Sequence, residues 1–208
     1  MTGAYSQEGG RGGKPGKGNH MVATRWRARF EPGALVLAGY PFPRGARPTR
    51  IPAEALGEVC VGWFPPAVRR REGEYLFVPA EQAGELADFA SQHGIPFVRR
   101  NDVWSFILEE FLDTEFSPEL QEWTLRSLES NGVSRAETQA MRELVGKRML
   151  TLTAVTWEWQ HYGLYDVLSA MRPFTFTTGW SFSRFYAESM LLADRGGVQP
   201  ASREEFSR

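Results

Sequence analysis

Glu158 and His161 lie three residues apart in the stretch TWEWQHYGLYDVLSAM, residues 156–171, and form a Glu-x-x-His motif. On a helix this spacing places a carboxylate and an imidazole on one face. Such a pair can hold half of a metal site in a helical bundle, or it can transfer protons as an acid and a base. Glu158 and His161 are therefore the candidate catalytic residues of an enzyme.

A dinuclear metal site needs a second copy of this motif on a facing helix. The chain has three histidines, His20, His93 and His161, and neither of the other two lies in the same half of the chain as His161. We therefore predict no metal and no cofactor, and a mononuclear site at Glu158 and His161 remains an alternative. A hydrogen-bonded core histidine is favoured, because a continuous helix would place His161 in an apolar stripe. The stripe comprises Leu150, Ala154, Trp157, His161, Leu164, Leu168 and Met171.

A second candidate site is basic. Arginines alternate along one predicted strand, follow a Pro-Pro turn in a triplet, and end another strand as a pair. The set is Arg25, Arg27, Arg29, Arg69, Arg70, Arg71, Arg99 and Arg100. Clustered arginines bind phosphates, so polyanion or nucleic-acid binding is an alternative function, although no nucleic-acid motif accompanies them.

A structural explanation of these arginines is a solvated sheet face that pairs with acidic helices. Residues 1–100 carry 14 Lys and Arg against 9 Asp and Glu, whereas residues 101–208 carry 10 against 16. This asymmetry fits an internal or intermolecular interface between the two halves.

The remaining motifs argue against common enzyme classes. The chain has no Gly-x-Ser-x-Gly, and its glycine-rich start, GGRGGKPGKG, lacks the spacing of a phosphate-binding loop. The single cysteine, Cys60, lies in an apolar strand pattern, which predicts a buried structural thiol and a reducing compartment. We therefore expect a cytoplasmic protein.

The elements that must position these residues change near residue 100. Before it, short apolar runs separated by Pro and Gly predict strands, and one helical pattern interrupts them. The strands are expected at 24–30, 34–40, 57–63, 74–79 and 95–100, and the helix at 80–93.

After residue 100 the pattern is helical. Asp102, Ser117-Pro118 and the Ser134/Glu137 capping box predict the starts of three helices, and Asn131-Gly132 predicts the end of the second. The third would run as far as Ser169, a length that suggests a break, and residues 150–159 are predicted to be helical rather than extended. A last helix is expected at 183–193.

The predicted fold class is α+β, a small mixed β-sheet with one helix in the N-terminal half, packed on a helical C-terminal half. We expect a disordered, Gly-rich basic tail at 1–20, a mixed α/β region at 21–100, a helical region at 101–195 that shares its core, and a disordered tail at 196–208.

No apolar run is long enough to span a membrane. The expected function is a non-catalytic protein–protein interaction or adaptor module, with a protein partner or a homo-oligomer. Seven tryptophans support this hypothesis, because exposed aromatic side chains mark interfaces.

Overall fold

The chain has an α+β fold in which two sheets occupy the N-terminal half and most helices the C-terminal half. The structure is a computed structural model that describes residues 26–42, 49–112, 117–156, 162–172 and 181–206, with the backbone alone for 153–156. The predicted fold class is confirmed, with two sheets in place of the single small one expected.

The first sheet is antiparallel and has the order β1-β2-β3, with β1 at Arg27–Glu31, β2 at Ala34–Ala38 and β3 at Thr49–Pro52. The alternation predicted for the first strand is present from residue 27: Ala28 is buried, whereas Arg27 and Arg29 are exposed. A tight turn joins β1 to β2, and Gly33 supplies the positive φ of 73° that this turn requires.

The second sheet is mixed and has the order β6-β5-β4-β7-β8. Its strands are β4 (Leu56–Val61), β5 (Ala67–Arg70), β6 (Tyr75–Phe77), β7 (Phe97–Arg100) and β8 (Val198–Pro200). β4 and β7 are parallel and the other pairs are antiparallel. A parallel neighbour needs a crossover connection, and helix α1 (Ala83–Gln92), preceded by a 3₁₀ turn at Ala80–Gln82, provides it.

Six helices follow in the described part of the chain. They are α2 (Val103–Leu108), extended by a 3₁₀ turn at Glu109–Phe111, α3 (Pro118–Ser130), α4 (Arg135–Thr156), α5 (Leu164–Met171), α6 (Phe182–Ala193) and α7 (Arg203–Phe206). The predicted caps form: the side chains of Asp102 and Ser117 accept hydrogen bonds from the backbone N–H groups of Trp104 and Leu120. Within these residues no helix combines the length and apolar character needed to cross a bilayer.

One cluster of buried apolar side chains runs through both halves of the chain. Trp104 of α2 is fully buried, and its indole N–H donates to the carbonyl of Ser189 in α6 at 3.2 Å. The backbone N–H of Tyr75 in β6 donates to the sulfur of Met190 at 3.3 Å. Helix α6 therefore joins the second sheet to the other helices.

The prediction of one helix as far as Ser169 is wrong. Residues 150–156 are helical, as expected, but α4 ends at Thr156 and Gly163 is the N-cap of α5, where its N–H donates to the Asp166 carboxylate at 2.9 Å. The predicted continuous stripe fails for the same reason, because Leu150 is 58% exposed whereas Leu164 and Leu168 are buried. Residues 157–161 lie outside the described residues.

The prediction of a disordered tail at 196–208 is also wrong for residues 198–206, which form β8 and α7. Buried polar groups hold the start of this segment. The side chain of Arg100 donates to the carbonyl of Gly196 at 2.8 Å, and the N–H of Gly197 donates to the Asn131 side chain at 2.6 Å. The tail predicted at 1–20 lies outside the described residues.

Candidate functional site

The candidate catalytic pair falls in a part of the chain that the structure leaves undescribed. Glu158 and His161 both lie in the segment 157–161, and Arg25 of the arginine set also lies outside the described residues. The acid–base and metal predictions for Glu158 and His161 therefore stay predictions. Among the described residues, no group of three or more His, Cys, Asp or Glu side chains is placed to hold a metal ion.

Three arginines of the predicted basic set are largely buried and paired with acidic groups. Arg69 forms a bidentate pair with Asp194 at 2.5 and 2.9 Å, and this pairing lowers the pKa of the aspartate. Arg70 meets Glu74 at 3.0 Å, and Arg100 meets Glu58 at 2.7 Å. These three guanidinium groups therefore already bind carboxylates of the protein itself.

The other arginines of the set are more exposed and belong to different elements. Arg27 and Arg29 lie on β1 of the first sheet, where Arg29 is 3.7 Å from Glu31. Arg71 donates to the carbonyl of Glu54 at 2.8 Å, and Arg99 of β7 pairs with Glu205 of α7. Polyanion binding through this set stays a prediction.

Cys60 is a buried free cysteine in β4, as predicted. Burial raises the pKa of its thiol far above the ordinary value, and the neighbouring Glu58 adds to the rise. A thiol held in the protonated form is a poor nucleophile. Cys60 therefore acts as a packing residue of the second sheet.

A cleft of about 360 Å³ opens between the β1–β2 turn and the end of α1. Arg71, His93 and Glu54 line it together with backbone of Gly33 and Gly94. The Nε2 atom of His93 is buried and has no hydrogen-bond partner among the described residues. The described lining of the cleft contains no Ser, Thr, Cys or Lys that could act as a nucleophile beside this histidine.

The described tryptophans differ in burial, and the one on α3 is exposed. Three tryptophans, Trp26, Trp63 and Trp104, are buried in the core, whereas Trp123 is 57% exposed. Other exposed apolar residues in the described chain are Phe64, Leu150, Leu191 and Val198. Among the four tryptophans that the structure describes, Trp123 is the one that could meet a partner, because its large apolar side chain lies at the surface.

The position of Trp123 follows from the geometry of α3. Leu120, Thr124 and Leu128 recur every four residues, and Thr124 and Leu128 are fully buried against the rest of the protein. Trp123 precedes Thr124 by one position, which rotates it by about 100° from the buried line. Its ring meets Phe106 of α2 edge to face, with centroids 5.7 Å apart, and the pair forms a small aromatic surface.

Charged residues follow a fixed order beside Trp123. Glu119 lies one turn before it and Arg126 one turn after it, and both are exposed. The backbone N–H of Glu119 itself and the Ser117 hydroxyl lower the pKa of Glu119, so the carboxylate is charged at neutral pH. The exposed face of α3 (Glu119, Trp123 and Arg126) therefore runs from negative through aromatic to positive.

An ion-pair network fixes α3 against α4. Arg135, the first residue of α4, donates to Glu122 at 2.9 and 3.2 Å and to Glu129 at 2.9 Å. Hydrogen bonds from Arg135, followed by those from Arg126, lower the pKa of Glu122. The network joins α3 to α4 on the solvent side of the helix hairpin.

Sequence reasoning missed Trp123 although a signal was present. The helix was predicted from its ends, Ser117-Pro118 and Asn131-Gly132, without assigning its faces. Leu120, Thr124 and Leu128 form the four-residue line that marks its buried side, and Trp123 lies off that line.

Comparisons with known proteins add no relative. No family model matches the chain, and neither a curated protein nor a solved structure matches it.

Proposed function

We propose that the protein is a non-catalytic protein–protein interaction module that contacts its partner through the exposed face of α3. The observation that carries the proposal is the 57% exposure of Trp123 beside Phe106. Leaving so large an apolar surface in water is unfavourable, and a partner that covers it gains the free energy of burial.

Trp123 differs from the other exposed apolar side chains in its chemistry and its support. Scattered exposed leucines are normal on a protein surface. Tryptophan is enriched among the residues that dominate binding energy, because it buries a large area with few rotatable bonds. Phe64, at 73% exposure, follows β4 in a loop, whereas Trp123 lies on a helix fixed to α2 and α4.

The hairpin of α3 and α4 is also preorganised for binding. Ser117 caps the start of α3, and the Arg135 network ties its outer side to α4. A surface that is already ordered loses less conformational entropy when it associates. The proposal includes a cytoplasmic location, the compartment in which one unpaired cysteine is ordinary.

The competing functions have less support. The enzyme hypothesis depends on Glu158 and His161, which are outside the described residues. The polyanion hypothesis depends on arginines of which Arg69, Arg70 and Arg100 are already paired with carboxylates.

Affinity purification of the tagged full-length chain from cells that express it, with mass spectrometry, tests the proposal. Wild type is compared with Trp123→Ala and with the control Phe64→Ala, which removes an exposed aromatic side chain elsewhere. We expect a stoichiometric partner with wild type and the control. Titration of that purified partner should show an affinity loss of about 2 kcal/mol for Trp123→Ala, or roughly thirtyfold.

Equal binding by wild type and Trp123→Ala would show that α3 is not the contact surface. Recovery of the chain without any stoichiometric partner, including a second copy of itself, would contradict the interaction function altogether.

A further inference from the structure

We propose that the exposed face of α3 binds the same face of a second copy of the chain, to form an antiparallel, two-fold symmetric dimer centred on Trp123. This inference rests on the proposed interaction function and names its partner. The two-fold axis passes between the two Trp123 side chains, each of which keeps Phe106 at its edge.

The order of charges along α3 carries the argument. Glu119, Trp123 and Arg126 are spaced by four and three residues, so they share one side of the helix. In an antiparallel pair centred on Trp123, the residue four places before the centre on one helix lies within one residue, about 1.5 Å along the axis, of the residue three places after it on the other. Glu119 of each copy therefore faces Arg126 of the other copy, and the surface is complementary to itself.

The antiparallel orientation is favoured over the parallel one on the same grounds. A parallel pair would place Glu119 against Glu119 and Arg126 against Arg126, and like charges repel. Helix dipoles also attract when two helices are antiparallel. Charge pairing and the helix dipoles both favour the antiparallel orientation, and the positions of Glu119 and Arg126 favour one register.

The two residues that form this contact are accessible. Arg126 keeps 73% of its side chain exposed although its Nε donates to Glu122 at 3.0 Å. The contact with Glu122 uses one of the five guanidinium N–H donors. Glu119 is fully exposed. A thirteen-residue helix is about 20 Å long, so the interface is small and the dimer dissociates in a measurable concentration range.

Sedimentation equilibrium of the full-length chain over a concentration series tests the dimer. Glu119→Arg and Arg126→Glu each place like charges across the interface, and each should weaken dimerisation at least tenfold. Trp123→Ala should weaken it at least tenfold as well. Circular dichroism checks that every variant keeps its helix content.

The decisive measurement is a mixture of the two charge variants. In the mixed pair, the arginines at positions 119 and 126 of one copy face the glutamates at positions 126 and 119 of the other. An equimolar mixture of Glu119→Arg and Arg126→Glu should therefore dimerise more tightly than either variant alone. The double variant, with both charges exchanged, should recover a dimer by the same complementarity.

A matched control uses an exposed ion pair on α6. Arg184 and Glu188 lie four residues apart at 2.9 Å, and Arg184 is 67% exposed. Arg184→Glu should leave the dimerisation constant unchanged within twofold.

Two results would overturn the inference: wild type that remains monomeric at every concentration, and charge variants that fail to complement each other in the mixture. If wild type is monomeric but a different protein is captured through Trp123, self-association is wrong and the proposed interaction function stands. If Trp123→Ala changes neither the dimerisation constant nor the capture of another protein, the dimer and the interaction through α3 are both wrong.

Discussion

At the scale of single residues, Asp102 joins two helices, α2 and α5, that lie far apart in the sequence. One carboxylate oxygen accepts from the N–H of Trp104 in α2 and the other from the N–H of Leu164 in α5, both at 3.0 Å. A Cβ at Gly163 would overlap the second oxygen, so the close approach of α5 depends on glycine there. The sequence predicted the cap on α2, but the contact with α5 is non-local.

The titration of Asp102 should make stability depend on pH. Burial raises the pKa of Asp102 to about 6, against the opposing hydrogen bonds from Leu164, Trp104 and Ser105. Since the unfolded value is about 3.9, the folded protein binds this proton more tightly. The stability from protonated Asp102 is full below pH ~4 and is lost as pH rises through about 6, a change of about 3 kcal/mol.

Comparison with Asp102→Asn isolates this effect from the other carboxylates. The unfolding free energy of wild type minus that of the variant, from urea titrations between pH 4 and 8, should fall by about 2 kcal/mol. A difference that is flat or rises with pH would show that the aspartate is not held in this way.

At the scale of elements, the ends of α3 set the orientation of its exposed face. Ser117 caps the start through Leu120, and the end closes when Val133 donates to the carbonyl of Leu128 and Gly132 to that of Glu129, both at 3.0 Å. Gly132 supplies the positive φ of 73° that this closure requires.

Removal of the cap should destabilise the protein and weaken binding through α3. Ser117→Ala leaves a backbone N–H unpaired and should lower the unfolding free energy by about 1 kcal/mol, measured by thermal or urea unfolding. The control is Ser127→Ala, because the Ser127 hydroxyl donates to the carbonyl of Trp123 within the helix and alanine has the higher helix propensity. Equal losses in both variants would mean that the cap contributes nothing.

Elements with a clear local pattern were predictable, whereas short strands that are half polar were not. The bounds of α3 and the Ser134/Glu137 capping box were confirmed, since both are determined by residues within a few positions. The short strands β3 (TRIP) and β5 (AVRR) were missed, because half of each is polar. Their strand conformation comes from backbone hydrogen bonds to neighbouring strands.

The candidate site was less predictable than the fold. The Glu-x-x-His motif predicted a site at residues 158–161. The arginine pattern predicted a basic site, but the structure pairs some of its side chains with distant carboxylates, such as Arg69 with Asp194. Exposure is a property of the folded surface. The sequence therefore predicted the helix that carries Trp123 but not the exposure of this side chain.

At the scale of the whole molecule, the C-terminal segment closes the second sheet and joins it to α3. β8 pairs with β7, Arg100 reaches the carbonyls of Asp194 and Gly196, and Asn131 accepts from Gly197. The segment GGVQPASREEFSR was predicted to be disordered because few of its residues are apolar. Its order comes instead from hydrogen-bond partners on distant elements.

Deletion of residues 196–208 should therefore lower the unfolding free energy more than deletion of a disordered polar tail would. The deletion exposes the edge of β7 and leaves the buried charge of Arg100 and the side chain of Asn131 without these partners. Hydrogen bonds to a charged group contribute about 1.5–3 kcal/mol each, so we expect a total loss of about 3 kcal/mol or more in urea unfolding.

Deletion of 201–208 is the matched control, since it removes α7 but keeps β8 and the contacts of Gly196 and Gly197. It should lower stability by less than the longer deletion. Equal stability of wild type and both truncated chains would mean that the segment contributes nothing to the fold. A loss confined to the longer deletion would locate the contribution at Gly196, Gly197 and β8, where Arg100 and Asn131 hold the end of the chain.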